Sequence, residues 1–459
     1  MLRKLTIFLL MQLALFVFIS QSAFSAELIT NPQLKEWIKS NTDQLPEVVI
    51  NEDGGIDSTT ANLEALAKIE QLDCSNFELT SIDELIVNML NLKMLICRHT
   101  SLTELDVTKN IELTGLICSE NQLSNLDVSN NIKLELLYCD INSLNNLDIT
   151  SNINLVELAC SENQLSNLDV SKNIELEKLY CYSNKLTNLD VTKNIELKEL
   201  RCWNNQLSNL DVRNNTKLEL LYCDINSLNN LDITSNINLI YITCSNNQLT
   251  NLDISKNINL TILDCSENQL NNLDVSKNIE LKELNCYNNQ LKSLDVSKNI
   301  KLDSLACYGN QLSNLDVSKN IELTLLYCNN NIFDNLDIRP LTNLVELKCC
   351  NQAAGFILYI TKEQKSKFNE EHYCNAILKE KDGSICEVEW LDIYPNPTAG
   401  KFFIDSKFLS DEIKILNLAG EVLYKSTLNS EKTEIDVSNL PAGVYFVITK
   451  GKIGKVVKN

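Results

Sequence analysis

The sequence predicts an α/β-type repeat solenoid, an arc of short coils with a parallel β-sheet on its concave face, followed by a small all-β sandwich. Three observations predict this fold class. A cysteine recurs at a constant step of 21 residues from Cys97 to Cys349. Leucines hold fixed places within each period. Beyond residue 352 the period is lost, and from residue 389 onward short alternating apolar stretches separated by turn residues follow.

The repeat is clearest from Leu113 to Leu134, where the pattern is LxxLxCxxNxLxxLDvsxNxxL. A fixed period of about 20 to 29 residues with LxxLxLxxNxL inside it is the leucine-rich-repeat signature. With the first leucine as position 1, a short strand should point positions 4 and 6 inward and positions 3, 5 and 7 outward. One coil cannot bury its own leucines, so we expect neighbouring coils to stack on a shared core.

Two polar positions of the repeat should satisfy backbone groups. The asparagine at position 9, such as Asn121 or Asn163, turns the chain out of the strand, and its amide is expected to bind backbone groups of its own and the next coil. The aspartate at position 15 recurs from Asp106 to Asp337. We expect it to accept backbone hydrogen bonds in a turn rather than to bind calcium.

The 17 cysteines would suggest disulfides in an exported protein. Ladder cysteines on adjacent strands should have their Cβ atoms about 4.8 Å apart, which is wider than a disulfide prefers. We therefore expect them to be reduced and buried as small apolar groups. Cys350, Cys374 and Cys386 lie off the ladder and are the candidates for a bridge. Cys374 and Cys386 could pair with each other, and the sequence leaves open whether they do.

The amino-terminal region divides into two parts. Arg3 and Lys4 precede an apolar run that ends at Ile19, so residues 1–25 are predicted to be a secretory signal peptide. The run is shorter than the roughly 20 residues of a transmembrane helix, and we expect no such segment in the mature chain. Residues 26–68 should form an N-terminal helical cap, with one helix from Pro32 and another from about Thr60 to Lys68.

The rest of the chain is predicted to form three further parts. Residues 69–352 are the solenoid, 353–388 a C-terminal cap and linker with a helix from Ile360 to Ile377, and 389–459 the sandwich. Within the solenoid, Lys133–Leu155 recurs unchanged as Lys217–Leu239, an offset of 84 residues or four periods. Whole blocks of repeats have therefore been duplicated, which favours an extended surface over a singular pocket.

Composition and chemistry exclude several functions. The formal net charge of −21 argues against nucleic acid as a partner. The two histidines, His99 and His372, lie in different parts with no nucleophile or carboxylate pattern around either. Ladder thiols that are buried cannot serve as nucleophiles. We predict that the protein is not an enzyme and requires no cofactor or metal.

The outward strand positions suggest a binding face. Aromatic residues project there and are few elsewhere in the repeats, and Tyr and Trp suit contact with a protein or a glycan. The alternative is that they reflect the preference of aromatic residues for strands. The aromatic residues at positions 3, 5 and 7 are Tyr138, Tyr180, Tyr182, Trp203, Tyr222, Tyr241, Tyr287, Tyr308 and Tyr327.

Two family resemblances follow from these motifs. The repeat with a cysteine in place of the strand leucine resembles the internalin-like leucine-rich-repeat proteins of the cysteine-ladder type, which implies a solenoid used for adhesion or protein binding. The YPNP and LPAGVY motifs and the basic tail resemble the C-terminal sorting domain of the type IX secretion system. This resemblance implies export to the surface of a Gram-negative bacterium. It assigns sorting roles to Pro395, Pro397, Gly400, Gly420 and Gly443.

The sequence thus predicts a secreted or cell-surface protein that binds a protein or glycan through its concave face, in the manner of an adhesin, and that engages the type IX machinery. A non-binding surface coat or spacer protein is the alternative. The sorting-motif glycines also have a simpler interpretation, as turn residues of any sandwich.

Overall fold

The computed structural model describes residues 26–374, 376–380, 392–405, 412–418, 421–427, 430, 432–449 and 452–459. The predicted signal peptide, Cys386 and Gly420 lie outside the described residues. The chain divides into two compact units, Met1–Leu249 and Thr250–Asn459. Each unit is described by itself.

The first unit opens with the two predicted helices. Helix α1 (Pro32–Ser40) starts at Asn31, whose side chain accepts from the first-turn N–H groups, and it buries an apolar face that includes Trp37. A short 3₁₀ turn, Thr42–Gln44, follows. Helix α2 (Thr60–Ala67) is capped by Thr59, so both helix predictions are confirmed. A third, short helix, α3 (Asp83–Ile86), lies within the first coils.

A series of three-residue strands follows, one per coil. The middle residue of each strand is buried, and its neighbours face outward in nearly every case. Consecutive strands of this unit pair in parallel, Leu116 with Leu137 for example, in steps of 21 residues after a first step of 23. This confirms the predicted alternation. The strands are β1 Gln71–Asp73, β2 Met94–Ile96, β3 Gly115–Ile117, β4 Leu136–Tyr138, β5 Glu157–Ala159, β6 Lys178–Tyr180, β7 Glu199–Arg201, β8 Leu220–Tyr222 and β9 Tyr241–Thr243.

The second unit also contains three-residue strands. Its strands of the same series pair in parallel, β13 with β15, while β14 pairs with β16 and β16 with β17 in a second parallel sheet. These strands are β10 Ile262–Asp264, β11 Glu283–Asn285, β12 Ser304–Ala306, β13 Leu325–Tyr327, β14 Asn335–Asp337, β15 Glu346–Lys348, β16 Ile357–Tyr359 and β17 Ile377–Lys379.

The predicted helix from Ile360 to Ile377 is wrong as a single element. The structure has two short helices, α4 (Lys362–Lys367) and α5 (Glu370–Tyr373), and Ile377 begins β17. The physical reason is a second helix start within the segment. Thr361 and Asn369 each form a capping box, so the backbone is extended again at Phe368 between the two helices.

The suggested pairing of Cys374 with Cys386 is also wrong. Cys374 forms a disulfide with Cys350, and their Cα atoms are 5.2 Å apart. Helix α5 carries Cys374 to the end of β15, where the backbone N–H of Cys349 donates to the carbonyl of His372 at 2.9 Å. This contact brings the two thiols together, which sequence spacing did not reveal.

The ladder cysteines are free and buried, as predicted. They share the core with the leucines of positions 1, 4, 11 and 14, most of which have no exposed surface. Burial raises the pKa of these thiols, for Cys307 to about 12. They remain protonated at neutral pH, so they pack as apolar groups and have little reactivity.

Two rows of asparagines join the coils. At position 9 the Asn142 Nδ2 donates to the carbonyls of Cys118 and Cys139, at 3.0 and 3.1 Å, and its Oδ1 accepts from the N–H of Leu123. The partners belong to its own and the preceding coil, not to the next coil as predicted. The second row, at position 19, was not anticipated. Asn131 there is fully buried and donates to two carbonyls of the preceding coil, at 2.9 and 2.8 Å.

The carboxyl-terminal strands form the predicted sandwich. One antiparallel sheet has the order β18-β19-β22 and the other the order β21-β20-β23-β24. Phe402 and Ile435 of the first sheet share a buried cluster with Ile415 and Val447 of the second, so the sheets pack face to face. The strands are β18 Asp392–Tyr394, β19 Lys401–Asp405, β20 Glu412–Leu416, β21 Val422–Thr427, β22 Lys432–Asp436, β23 Gly443–Thr449 and β24 Lys452–Lys458.

The position-15 aspartates play the turn role that the sequence predicted. In each coil from Asp106 to Asp337, the aspartate Oδ1 accepts from the N–H two residues later at 2.9 to 3.1 Å. The Ser or Thr two residues on adds a hydroxyl donor in many coils, as Thr192 does for Asp190 at 2.6 Å. The carboxylates therefore fix the backbone of the turn.

The residue at position 8 of each coil has a left-handed backbone. Its φ lies between 50° and 57° in coils from Glu120 to Asn351, apart from Gly309, where φ is 65°. Asn and Gly tolerate this conformation, whereas a β-branched residue is strained in it. Ile141 and Ile225 occupy it with φ of 54° and 52°. These two coils therefore carry local strain, which the coils on either side of Ile225 avoid with Asn204 and Asn246.

Replacing Ile225 with Asn should stabilise the protein. The side chain of Ile225 is 43% exposed, so the change sacrifices little buried area while it relieves the left-handed strain. We expect the free energy of unfolding to rise by about 1 kcal/mol, measured by urea denaturation. The matched control is Ile195→Asn, since Ile195 is similarly exposed at 52% but its φ is not positive. Equal losses in both variants would contradict the interpretation.

The position-15 aspartates should make the stability of the protein depend on pH in the acidic range. Hydrogen bonds from hydroxyl and N–H donors hold the pKa of Asp190 below its ordinary value of 3.8, and the Arg213 guanidinium lowers the pKa of Asp211 to about 2. A carboxyl whose folded pKa is depressed stabilises the fold above the unfolded pKa and loses that contribution as pH falls through the folded pKa. The urea concentration at the midpoint of unfolding should therefore decrease as the pH is lowered from 3.8 to about 2. The change should be shallower in Asp190→Asn, and a midpoint that rose on acidification would refute this account.

Candidate binding face

The side chains at positions 3, 5 and 7 of each coil project from the strands and form what we call the sheet face. In the first unit this face carries a groove with a volume of about 630 Å³. Its floor is set by small residues, Ala159 and Ser161, in the coil of β5. Larger polar and aromatic side chains from neighbouring coils form its walls. They include Asp140, Tyr138, Tyr180, Tyr182, Arg98 and Arg201.

The aromatic residues predicted for this face do lie on it, but they are half-buried rather than fully exposed. Six of the nine rings stack in pairs between neighbouring coils. Tyr182 and Trp203 are parallel, with ring centroids 4.5 Å apart, and Tyr222 stacks on Tyr241 at 4.7 Å. Each stacked ring therefore covers apolar surface of its neighbour, and the rows have a packing role besides any contact with a ligand.

Two tyrosine hydroxyls of the first unit donate to glutamates of the next coil. Tyr138 donates to Glu157 at 2.5 Å, and Tyr180 donates to Glu199 at 3.0 Å. Burial is the main cause that raises the pKa of both tyrosines, and the adjacent carboxylates add to it. Both hydroxyls therefore stay protonated, and the rings are held in fixed orientations.

Arg201 is a member of this face that the sequence reasoning missed. Its guanidinium lies between the rings of Tyr180 and Tyr222, with the ζ carbon 4.9 Å from each ring centroid. Its Nε donates to Glu199 at 2.6 Å. The signal was available, because Arg201 occupies the same position 5 as those tyrosines in the coil between them. The predicted binding face included only aromatic residues and therefore omitted Arg201.

The second unit carries the other predicted aromatic residues. Tyr287 and Tyr308 stack in parallel with centroids 4.4 Å apart. Tyr327 donates to Glu346 and has the Lys348 ammonium 4.5 Å from its ring centroid. The structure therefore places all nine aromatic residues on the sheet face, six in the first unit and three in the second.

A second exposed feature of the coils was not predicted. An isoleucine at position 20 leaves half of its surface in solvent in coil after coil of each unit. In the first unit these residues are Ile111, Ile132, Ile153, Ile174, Ile195 and Ile237, each 50 to 54% exposed. In the second they are Ile258, Ile279, Ile300 and Ile321. This isoleucine row follows the buried position-19 asparagines and is separate from the sheet face.

The predicted sorting residues lie around the last strand of the sandwich. Asn396, between Pro395 and Pro397, donates to the Lys455 carbonyl at 2.5 Å and accepts from the Val457 N–H at 2.8 Å. A Cβ at Gly400 would lie 2.8 Å from the Ser438 Oγ, so that position is sterically restricted.

The remaining sorting glycine, Gly443, is the first residue of β23 rather than a turn residue. The alternative interpretation of the motif glycines as turn residues therefore does not apply to it. The basic tail is also partly enclosed. The Lys458 ammonium donates to the carbonyls of Ser438 and Leu440, so this lysine ties β24 to the loop before β23.

The described residues hold no group of three or more His, Cys, Asp or Glu side chains arranged to bind a metal ion. In the same part of the chain, no helix combines the length and apolar character required to cross a membrane.

Comparison with known proteins agrees with this architecture. Residues 392–459 match the family described as the secretion system C-terminal sorting domain. No curated protein sequence gives a significant match. Among solved structures, the functional domain of InlJ from Listeria monocytogenes, which includes a cysteine ladder, is 29% identical. The match covers 88% of this chain and 92% of that one, with a TM-score of 0.66.

Two further structures share the fold. A leucine-rich-repeat protein from Leptospira interrogans is 22% identical over 70% of this chain and 86% of its own, with a TM-score of 0.59. The internalin InlF from Listeria monocytogenes is 19% identical over 77% and 92%, with a TM-score of 0.56. Both resemblances inferred from the sequence are confirmed: the chain is a leucine-rich-repeat solenoid similar to a cysteine-ladder internalin, followed by a type IX secretion sorting domain.

Proposed function

We propose that this protein is an adhesin-like binding protein, displayed at the bacterial surface, that binds a protein or glycan through the sheet face. The sorting domain indicates a secreted or cell-surface protein of a Gram-negative bacterium. Such a domain implies contact with the secretion machinery. The ligand-binding role is the part that goes beyond this assignment, and it rests on the sheet face of the first unit.

The observation that carries the proposal is the groove on that face. Its walls combine aromatic rings with charged groups, Asp140 and Arg201 among them, above a floor of small residues. Binding surfaces favour this composition, since Tyr, Trp and Arg dominate the affinity of interfaces. Stacking and hydrogen bonds fix the side chains in advance, so little conformational entropy would be lost on binding.

A surface coat or spacer protein is the second candidate. It is favoured by the block duplication, because Lys133–Leu155 and Lys217–Leu239 are identical and extend the solenoid without adding a new surface. A spacer requires length and solubility, and the net charge of −21 supplies the latter. It does not require a groove lined by aromatic and charged residues, which is why we prefer the binding function.

The double variant Tyr182→Ala with Trp203→Ala tests the proposal. These stacked rings point away from the core, so the fold should survive their truncation. The full chain would be probed on a glycan array and on an array of cell-surface proteins. For ligands bound by the natural protein, the variant should lose at least about 2 kcal/mol, roughly thirtyfold in Kd.

The control is Lys172→Ala with Lys193→Ala, two exposed positions in the turns that follow Asp169 and Asp190. This variant should bind as the natural protein does. If the lysine variant lost binding and the aromatic variant kept it, the sheet face would not be the binding surface. If the natural protein bound nothing on either array, the spacer function would be favoured.

A further inference from the structure

Three tyrosines on the sheet face of the first unit are spaced two coils apart at the same position 5. They are Tyr138, Tyr180 and Tyr222, which end β4, β6 and β8. With parallel strands about 4.8 Å apart, rings two coils apart leave an interval of nearly 10 Å between them. Two such intervals therefore lie in succession along the face.

The interval between Tyr180 and Tyr222 is filled by the chain itself. The Arg201 guanidinium lies midway, 4.9 Å from each ring centroid. Glu199, in the same strand as Arg201, accepts from the arginine Nε at 2.6 Å and from the Tyr180 hydroxyl at 3.0 Å. Two ring faces and one carboxylate therefore form a complete site for a planar cation.

The interval between Tyr138 and Tyr180 repeats this arrangement with one change. Glu157 occupies the place of Glu199, and it accepts a hydrogen bond from the Tyr138 hydroxyl at 2.5 Å. Ala159 occupies the place of Arg201, so the side chain from the central strand ends at the floor. The groove of the first unit is lined by both rings and by Ala159. We call this interval the Ala159 slot.

The charges around the Ala159 slot favour a cation. The Glu157 carboxylate also forms an ion pair with the Lys178 ammonium, at 2.7 Å. Asp140 lines the same groove and accepts from the Ser119 hydroxyl at 3.0 Å, and the positive charge that acts on it belongs to Arg98, whose guanidinium is paired with Glu120. Burial raises the pKa of Asp140, so its carboxylate is poorly solvated and would be stabilised by a cationic partner. The Lys178 ammonium and the two guanidinium groups that line the groove, those of Arg98 and Arg201, are each paired with a glutamate. Among the described residues, Asp140 is therefore a groove carboxylate with no ion pair of its own.

We propose that the Ala159 slot binds the guanidinium group of an arginine side chain presented by a protein ligand. The inference rests on the proposed function and specifies the ligand chemistry of the same face. The guanidinium would lie between the Tyr138 and Tyr180 rings as Arg201 lies between its own pair, with Glu157 and Asp140 as carboxylate partners. A sugar ring would gain the ring contacts but not the charge, which makes a glycan the alternative outcome of the test.

The test compares the binding of two peptides and one disaccharide to the full chain. The probes are acetyl-Gly-Arg-Gly-amide, its citrulline counterpart, which has a similar shape but no charge, and the disaccharide of N-acetylglucosamine. Binding would be followed by saturation-transfer NMR and by titration of the protein fluorescence. We expect saturable binding of the arginine peptide with a Kd of about 1–10 mM, and at least about tenfold weaker binding of the citrulline peptide.

Ala159→Arg is the decisive variant. It supplies the slot with an arginine of the chain itself, on the pattern of Arg201, so the protein should fold and the arginine peptide should no longer bind. Ala306→Arg is the matched control, because Ala306 has the same position 5 and the same 5% exposure but lies in the second unit. It should leave peptide binding unchanged. Tyr138→Leu provides a second variant, in case Ala159→Arg does not fold, and should weaken binding at least about tenfold.

Three results would overturn the proposal. They are the absence of saturable binding of the arginine peptide, equal binding of the citrulline peptide, and binding that persists in folded Ala159→Arg. Binding of the disaccharide alone, lost in Ala159→Arg, would assign the slot to glycans instead. These failures are distinguishable from failure of the proposed function. If the proposed function fails, the Tyr182→Ala, Trp203→Ala variant would still bind its array ligands, independently of the result with the peptides.

Discussion

The structure depends on the register of its parallel coils. Each strand pairs with its neighbour at a step of 21 residues through most of the solenoid, and the buried asparagine amides reach the carbonyls of the preceding coil. These bonds satisfy backbone groups that water cannot reach, so a shift of register would leave several of them unpaired at once. The buried leucines and cysteines then superimpose from coil to coil. Backbone hydrogen bonding and the packing of the buried side chains therefore both require a constant step between coils.

Fixed register on the inside produces straight rows on the outside. Side chains at one repeat position recur about every 4.8 Å, which is close to the distance at which two rings stack. This explains why Tyr182 lies flat on Trp203 and why Arg201 fits between two tyrosines. It also means that one small residue in a row of large ones makes a slot of defined width. Ala159 does this, and the rings on either side of it are already held in position.

The periodic features of the fold could be predicted from the sequence, because each position repeats its environment many times. The burial of the cysteines, the alternation of the strands and the turn role of the aspartates were all predictable for this reason. Features that occur once were not. The pairing of Cys350 with Cys374 depends on where α5 returns to the solenoid, and the split of Ile360–Ile377 depends on one additional helix cap.

The candidate site could be predicted only in part. Its rows of aromatic residues could be read from the sequence, since positions 3, 5 and 7 face outward. The diagonal contacts could not be read, because Tyr138 reaches a glutamate at position 3 of the next coil rather than a residue in its own row. Periodicity assigns a side chain to a face, whereas its partner depends on its length and rotamer. The sequence places Arg201 in the same row, but its contacts with two rings and with Glu199, and therefore the Ala159 slot, are apparent only in the structure.

Hydroxyl-radical footprinting of the full chain, with and without a ligand found on the arrays, tests the central claim that the sheet face of the first unit binds the ligand. Bound ligand should lower the oxidation of Tyr182, Trp203 and Tyr222 and leave the isoleucine row unchanged. Protection of Ile174 and Ile195, with unchanged oxidation of the three aromatic residues, would contradict the account and place binding on the isoleucine row instead.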